Sequence, residues 1–149
     1  MKAIKVIFYL MILLIIGSCN PYKKNLPIGA WKLVYAKHMA ADSVITEFPG
    51  NIQGAQIKIW SEKNFFFAGS RKVLPDTVSE DAYGGGTYKL VDNKYQETVL
   101  YHFNKQAEHQ IFNMILEIKH DTLIQTWPVD QNGKIIRANY YIEKYVRIK

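Results

Sequence analysis

The sequence predicts an all-β fold over residues 29–149, an up-and-down antiparallel meander barrel of about 8–10 strands. Three observations predict it. Apolar and polar residues alternate in short runs, which is typical of half-buried strands. Tight turn signals, such as Asp92-Asn93 and Asn132-Gly133, separate the runs. Many sequential antiparallel strands close readily into a barrel, because closure removes exposed edges. A two-sheet sandwich is the alternative, but its crossovers need long connections.

The strands can be placed one after another along this region. Residues 29–37 form the first, in which Trp31 and Leu33 alternate with Lys32 and Val34. The following runs are AQIKIWS, NFFFAGS, GGTYKLV, KYQETVLYHF, HQIFNMILEIK and TLIQTWPV, with the last strand inside 134–148. Two long connections, 38–53 and 71–84, stand apart from the tight turns. If the first strand starts at a plugged barrel end, both connections follow strands that finish at the opposite, open end, so we expect them to form a lid over that end.

Residues 1–18 have the layout of a cleaved signal peptide. Lys2 and Lys5 precede an apolar run of 11 residues, 6–16. This length matches the roughly 7–15 residues of a signal-peptide core and falls short of the about 20 needed to cross a bilayer. The run ends in IGSC, and Cys19 is the chain's single cysteine, so no disulfide accounts for it. An ordinary signal peptide with a chance cysteine is the alternative.

The IGSC ending resembles the lipobox of bacterial lipoproteins. The resemblance implies cleavage before Cys19, acylation of its thiol with diacylglycerol and palmitate-type chains, and anchoring in a membrane, since each buried methylene contributes about 0.8 kcal/mol. Residues 19–28 would then be a lipidated tether to the 29–149 domain. No acidic residue directly follows Cys19. We therefore expect a bacterial cell-envelope protein on the periplasmic face of the outer membrane.

The charge of the predicted domain argues against nucleic acid as a partner. The whole chain carries a net charge of +6, but residues 29–149 hold 15 Lys and Arg against 13 Asp and Glu. Nucleic-acid binding requires basic residues clustered on one face. A nearly balanced domain provides no such footprint.

Gly29 and Trp31 form a G-x-W motif at the start of the first strand, and Arg147 lies near the end of the last. This pattern resembles the amino-terminal signature of lipocalins. GGGTYKL followed by NKYQE is similar to the central hairpin of small lipocalin-like (calycin-type) lipoproteins of Gram-negative bacteria, a family without assigned function. The resemblance implies that Trp31 plugs the barrel floor beneath the Arg147 guanidinium, with Gly29 allowing close passage of the chain. Further motifs of secreted animal lipocalins are not recognisable, so no ligand is implied.

Strand alternation predicts the side chains that face the barrel interior. If Trp31 faces inward, the lining is apolar and aromatic with a few polar groups, which is typical of a small-molecule pocket. The predicted ligand-lining residues are Tyr35, Tyr88, Glu97, Tyr101, Met114 and Trp127. The alternative is a closed core, because 10 tyrosines and 7 phenylalanines are enough to fill the interior.

Glu97 is the lining position that carries a charge. A carboxylate among Tyr95, Val99 and Tyr101 is costly to bury unless it is paired. Arg71, Arg137 or tyrosine hydroxyls could supply partners, and Glu97 could then orient the polar end of a ligand. The alternative is that Glu97 lies in water at a barrel mouth, or that a bulge reverses the alternation.

We expect no catalytic residues, no cofactor and no metal. His102, His109 and His120 lack metal-ligand spacing, and Gly84–Gly86 lack the Lys-Ser/Thr of a phosphate loop. The leading hypothesis is a lipid-anchored barrel that binds or carries a small apolar ligand in the envelope. A filled barrel that contacts another envelope protein is the alternative, and an enzyme is the third.

Overall fold

A computed structural model describes residues 26–149 of the chain. The predicted signal peptide, the Cys19 lipidation site and most of the tether lie outside the described residues. Within residues 26–149, no helix is long and apolar enough to cross a membrane.

Nine antiparallel strands form one closed sheet, which confirms the predicted up-and-down barrel. Sequential neighbours pair from the third strand to the ninth, and the first pairs with the ninth to close the barrel. The second and third strands share the remaining edge of the first, so the barrel has eight strand positions. The strands are β1 Gly29–Ala40, β2 Ser43–Phe48, β3 Ile52–Trp60, β4 Asn64–Val73, β5 Glu80–Val91, β6 Lys94–His102, β7 Ile111–Lys119, β8 Thr122–Trp127 and β9 Asn139–Arg147.

The barrel floor is built as the G-x-W motif predicts. Trp31 is 0% exposed and pairs in register with Arg147, whose guanidinium carbon lies 4.1 Å from the indole ring centre. The indole N–H donates to the Pro27 carbonyl at 2.6 Å, and Arg147 Nη1 donates to the Ile28 carbonyl at 2.7 Å. Gly29 has φ +117°, and a Cβ there would lie 2.9 Å from Arg147 Nη1. The motif therefore needs glycine both for its backbone conformation and for the closeness of the arginine.

Both long segments lie at the barrel end opposite the floor, as predicted, but they belong largely to the barrel wall and do not form a lid. Residues 38–53 contain the end of β1, a two-residue turn and the whole of β2, which pairs with β1. In the second segment β4 continues to Val73 and β5 begins at Glu80. Of the six apolar side chains expected beneath a lid, only Phe48 lines the barrel cavity; the other five are Met39, Val44, Ile45, Val73 and Leu74. Backbone pairing between the two halves of each hairpin thus lengthens the wall at the end opposite the floor.

The buried core occupies the half of the barrel nearest the floor. Its largest fully buried side chains include Trp31, Trp60, Tyr95, Leu123 and Tyr145. The turns between β3 and β4, β5 and β6, and β7 and β8 lie at this same end, because β3 ends beside the start of β1 and the strands from β3 to β9 alternate in direction. The opposite half, toward the β1–β2 and β4–β5 hairpins, is hollow.

Candidate ligand-binding site

The hollow half of the barrel contains a cavity of about 540 Å³. This volume lies within the range of about 300–1,000 Å³ that is usual for small-molecule pockets. Side chains therefore leave part of the interior empty, whereas the closed-core alternative required them to fill it. The apolar lining of the cavity comes from both sides of the barrel and includes Leu33, Phe65, Phe67, Val99, Phe112, Met114 and Trp127.

A row of stacked rings, here called the aromatic row, forms one wall of the cavity. His38 stacks on Tyr141 with ring centres 4.2 Å apart, and Tyr141 stacks on Trp127, also at 4.2 Å. Phe112 ends the row, with its ring edge-on to Trp127 at 5.8 Å. Register places Tyr141 opposite both His38 on β1 and Trp127 on β8, so the barrel closure itself aligns the rings.

Three polar side chains at the base of the cavity form a buried network. Lys58 is 4% exposed and Glu97 5% exposed, and Lys58 Nζ donates to Glu97 Oε1 at 2.5 Å. The same ammonium donates to Gln125 Oε1 at 3.1 Å, and Gln125 is 0% exposed. The Tyr95 hydroxyl adds a second donor to Glu97 Oε1 at 2.8 Å. Glu97 is thus paired inside the barrel, which rejects the alternative of a carboxylate in water at the mouth.

Aromatic rings complete the surroundings of the Lys58 ammonium. Its Nζ lies 5.0 Å from the ring centres of both Trp60 and Phe65. Such rings attract a cation through the negative charge of their faces. Burial and the Glu97 charge together raise the pKa of Tyr95 well above its usual value, so its hydroxyl keeps the proton that it donates. Lys58 and Glu97 consequently neutralise each other inside the barrel, and both side chains also line the cavity.

Glu143 is a second carboxylate at the cavity, and it is not part of that pair. It faces Gln125 across the β8–β9 ladder and lines the cavity, where its side chain is half-buried. The Tyr145 hydroxyl donates to its Oε2 at 2.8 Å, and Gln56 Nε2 donates to that hydroxyl at 3.0 Å. Desolvation is the main cause that raises the pKa of Glu143, and the nearby Lys58 charge partly opposes it. Among residues 26–149, no cationic side chain forms an ion pair with Glu143 within 4.0 Å.

Three of the predicted lining residues contact the cavity, namely Glu97, Met114 and Trp127. Tyr88 is buried, but its hydroxyl donates to the Ser61 carbonyl near the floor, so it lies below the cavity. The placements of Tyr35 and Tyr101 are wrong. Tyr35 hydrogen bonds to Glu47 at 3.0 Å and is absent from the lining, and Tyr101 is 72% exposed on the outer surface.

Two register shifts explain the wrong placements. On β1 the pairing with β9 shifts between Leu33 and Tyr35, so the inner face passes from odd to even residues and His38 points inward instead of Tyr35. On β6 the pairing skips Leu100 opposite Gly85 and Gly86, which brings His102 to the cavity and turns Tyr101 outward. A Cβ at Gly86 would strike the Thr98 carbonyl, so the shift on β6 depends on glycine.

Lys58 and Glu143 are the site residues that the sequence interpretation missed. The run AQIKIW suggests an inner face of Ile57 and Ile59, yet both are exposed and Lys58 faces inward with Trp60. Trp60 was the available signal, because a strand that buries Trp60 also turns Lys58 inward. Similarly, alternation back from Arg147 reaches Tyr145 and Glu143 on the same face.

The fold and the cavity define the class: a lipocalin-like up-and-down β-barrel with an internal pocket whose base is polar and whose walls are apolar. Comparison with protein-family models, curated proteins and solved structures finds no match to the chain. Within the described residues, no group of three or more His, Cys, Asp or Glu side chains is arranged to hold a metal ion.

Proposed function

We propose that the protein is a lipid-anchored binding protein of the bacterial cell envelope, which holds or carries a small, largely apolar ligand inside its barrel. The observation that carries this proposal is the cavity of about 540 Å³ with aromatic and aliphatic walls. A side-chain-filled barrel would have no such space. Binding rather than catalysis is proposed, and the anchor is assigned to Cys19 from the sequence alone.

The lining supports a ligand with one polar end. Moving an apolar ligand surface from water to apolar walls contributes a binding free energy of roughly 25 cal/mol per Å². Gln56, Glu97 and Glu143 lie together at the base of the cavity, whereas Arg71, His102 and Asn104 line its upper part. A few convergent polar groups in an otherwise apolar pocket fix the orientation of a bound molecule.

Native mass spectrometry of the protein purified from its own host tests the proposal. A retained molecule, released on denaturation and absent from a cavity-blocking variant such as Val99→Trp, is the expected result. Val44→Trp, at an exposed position on β2, is the matched control, because it adds the same side chain outside the cavity. A protein that carries no molecule and binds none from a lipid extract of its host would contradict the proposal.

A second candidate is an accessory module that contacts another envelope protein through the outer wall. Ile59 pairs with Phe66 across the β3–β4 ladder, and Tyr83 faces Ala68 on the next ladder; the three large side chains are exposed. Exposed apolar patches of this kind mark interaction surfaces. Crosslinking in intact cells from Phe66, with Lys89 on β5 as the polar control position, distinguishes this candidate from a free carrier.

A further inference from the structure

Resting on the proposed ligand-binding function, we infer that the ligand is an amphiphilic amine, whose protonated nitrogen pairs with the Glu143 carboxylate at the base of the cavity. Its apolar part would then extend along the aromatic row toward the open end. The inference adds the chemical class of the ligand to the proposed function.

The balance of charge around the cavity base leaves one carboxylate without a cation. Lys58 neutralises Glu97 and has its remaining donors directed at Gln125 and at aromatic faces. Glu143 receives only neutral donors in the described structure, the Tyr145 hydroxyl at 2.8 Å and the neighbouring Trp127 side chain. One ammonium and two carboxylates therefore share the base of the cavity, and a further cation or a bound proton would neutralise the excess negative charge.

The other basic side chains near the cavity interact with groups other than Glu143. Lys37 forms an ion pair with Glu47 at 3.3 Å, and Arg71 forms one with Glu80 at 3.4 Å near the mouth. His102 lines the upper cavity, and burial lowers its pKa, which favours the neutral ring near pH 7. His38 is bound to Asn139 by a 2.5 Å hydrogen bond. No cation from these groups occupies the position beside Glu143.

The same arrangement disfavours an anionic ligand. A carboxylate head group at the cavity base would meet both Glu97 and Glu143, while the Lys58 ammonium is already engaged. A neutral hydroxyl could donate to Glu143 but would leave its charge uncompensated. A protonated amine supplies both a hydrogen bond and the missing charge, and such charge-assisted bonds are roughly twice as strong as neutral ones.

Matched probes with the same apolar part test the class of the ligand. Isothermal titration calorimetry would compare decylamine, decanol and decanoate, each kept below its micelle concentration, at neutral pH. We expect decylamine to bind at least about tenfold more tightly than decanol, and decanoate to bind most weakly. Glu143→Gln should weaken decylamine at least about 30-fold, as for loss of one partner of a buried charge pair. Glu117→Gln, an exposed carboxylate on β7, is the control and should leave decylamine affinity unchanged.

A pH titration of the unmodified protein provides a second measurement that does not depend on a variant folding. Decylamine affinity should fall as the pH is lowered through the raised pKa of Glu143, because the protonated carboxyl no longer pairs with the amine. The titratable groups facing Glu143 are Lys58, Glu97, His38, Tyr141 and Tyr145. Where the Glu143→Gln variant folds, its own pH profile should lack the part of this loss that belongs to Glu143.

The outcomes distinguish this inference from the proposed function. Equal affinity for decylamine and decanol, or undiminished decylamine binding by the Glu143→Gln variant, would overturn the amine inference while the carrier function stands. Tighter binding of decanoate would overturn it in the same way. Failure of all three probes, together with an empty protein in native mass spectrometry, would reject the carrier function and the inference together.

Discussion

Breaking the buried pair between Lys58 and Glu97 should cost the barrel a large part of its stability. In Lys58→Met, Glu97 stays buried and keeps only the Tyr95 hydroxyl as a donor. Removal of one partner from a buried ion pair typically destabilises by about 3–5 kcal/mol. With an m-value of about 1.5 kcal/mol/M, a loss of about 3 kcal/mol lowers the urea midpoint by about 2 M. Equilibrium unfolding in urea, followed by tryptophan fluorescence, measures the shift.

The double variant Lys58→Met/Glu97→Gln shows whether the pair itself is responsible. With both charges removed, the Tyr95 hydroxyl can still donate to the amide oxygen introduced at position 97, and neither partner leaves a buried charge alone. The double variant should therefore be more stable than Lys58→Met, as the replacement of whole buried ion pairs by uncharged side chains is often neutral. Lys32→Met, at an exposed lysine on β1, should stay within about 0.5 kcal/mol of the unmodified protein. Additive losses in the double variant would refute the reasoning.

Three further predictions concern the barrel floor, the Cys19 lipidation site and the cavity. Trp31→Ala should destabilise the domain by about 3–5 kcal/mol, as for other buried aromatic truncations. Gly29→Ala should destabilise it by about 1–3 kcal/mol because residue 29 has a positive φ. Urea unfolding measures both losses, and an unchanged stability of Gly29→Ala would contradict the backbone role assigned to Gly29. Cys19→Ala should abolish labelling by an acyl probe in cells, and a labelled variant would reject the anchor. Glu143→Gln should stabilise the ligand-free protein at neutral pH but not at about pH 4, by thermal unfolding.

The overall fold could be predicted because it depends on features that are local in the sequence. Alternation and tight turns specify the strands, and their sequential pairing specifies the barrel. The contact between Trp31 and Arg147 was predicted from the resemblance to lipocalins, and barrel closure provides it by bringing the first and last strands together. Both features survive small errors in register.

The site was harder to predict because a single register shift exchanges the two faces of a strand. The shifts on β1 and β6 placed Tyr35 and Tyr101 on the wrong side of the wall. On β3 a different effect acts: exposed Ile57 and Ile59 mimic an inner face, while Lys58 faces inward. Burial of Lys58 is favourable only because Glu97 and Gln125, on strands distant in sequence, supply its acceptors. That pairing is a property of the closed barrel.

The pH dependence expected for Glu143→Gln follows from the direction of the pKa shift at Glu143. Its folded-state pKa lies above the usual 4.5, mainly through desolvation. Between the unfolded and folded pKa values, the native state binds more protons than the unfolded state, so stability falls as the pH rises through this window. Below pH 4.5 both states are protonated and the penalty vanishes, whereas above the folded pKa it is complete.

Glutamine at position 143 carries no such penalty, and the contributions of the groups that the two proteins share largely cancel in the difference. The stability gained by Glu143→Gln should therefore grow with pH from about pH 4.5 and then level off. Saturating decylamine should reverse the order at neutral pH, because ligand at about 100 times its Kd stabilises the unmodified protein by about 2.7 kcal/mol. A difference between the two ligand-free proteins that does not change from about pH 4 to about pH 7 would show that Glu143 is not desolvated at the cavity base, and the charge argument for an amine ligand would fail with it.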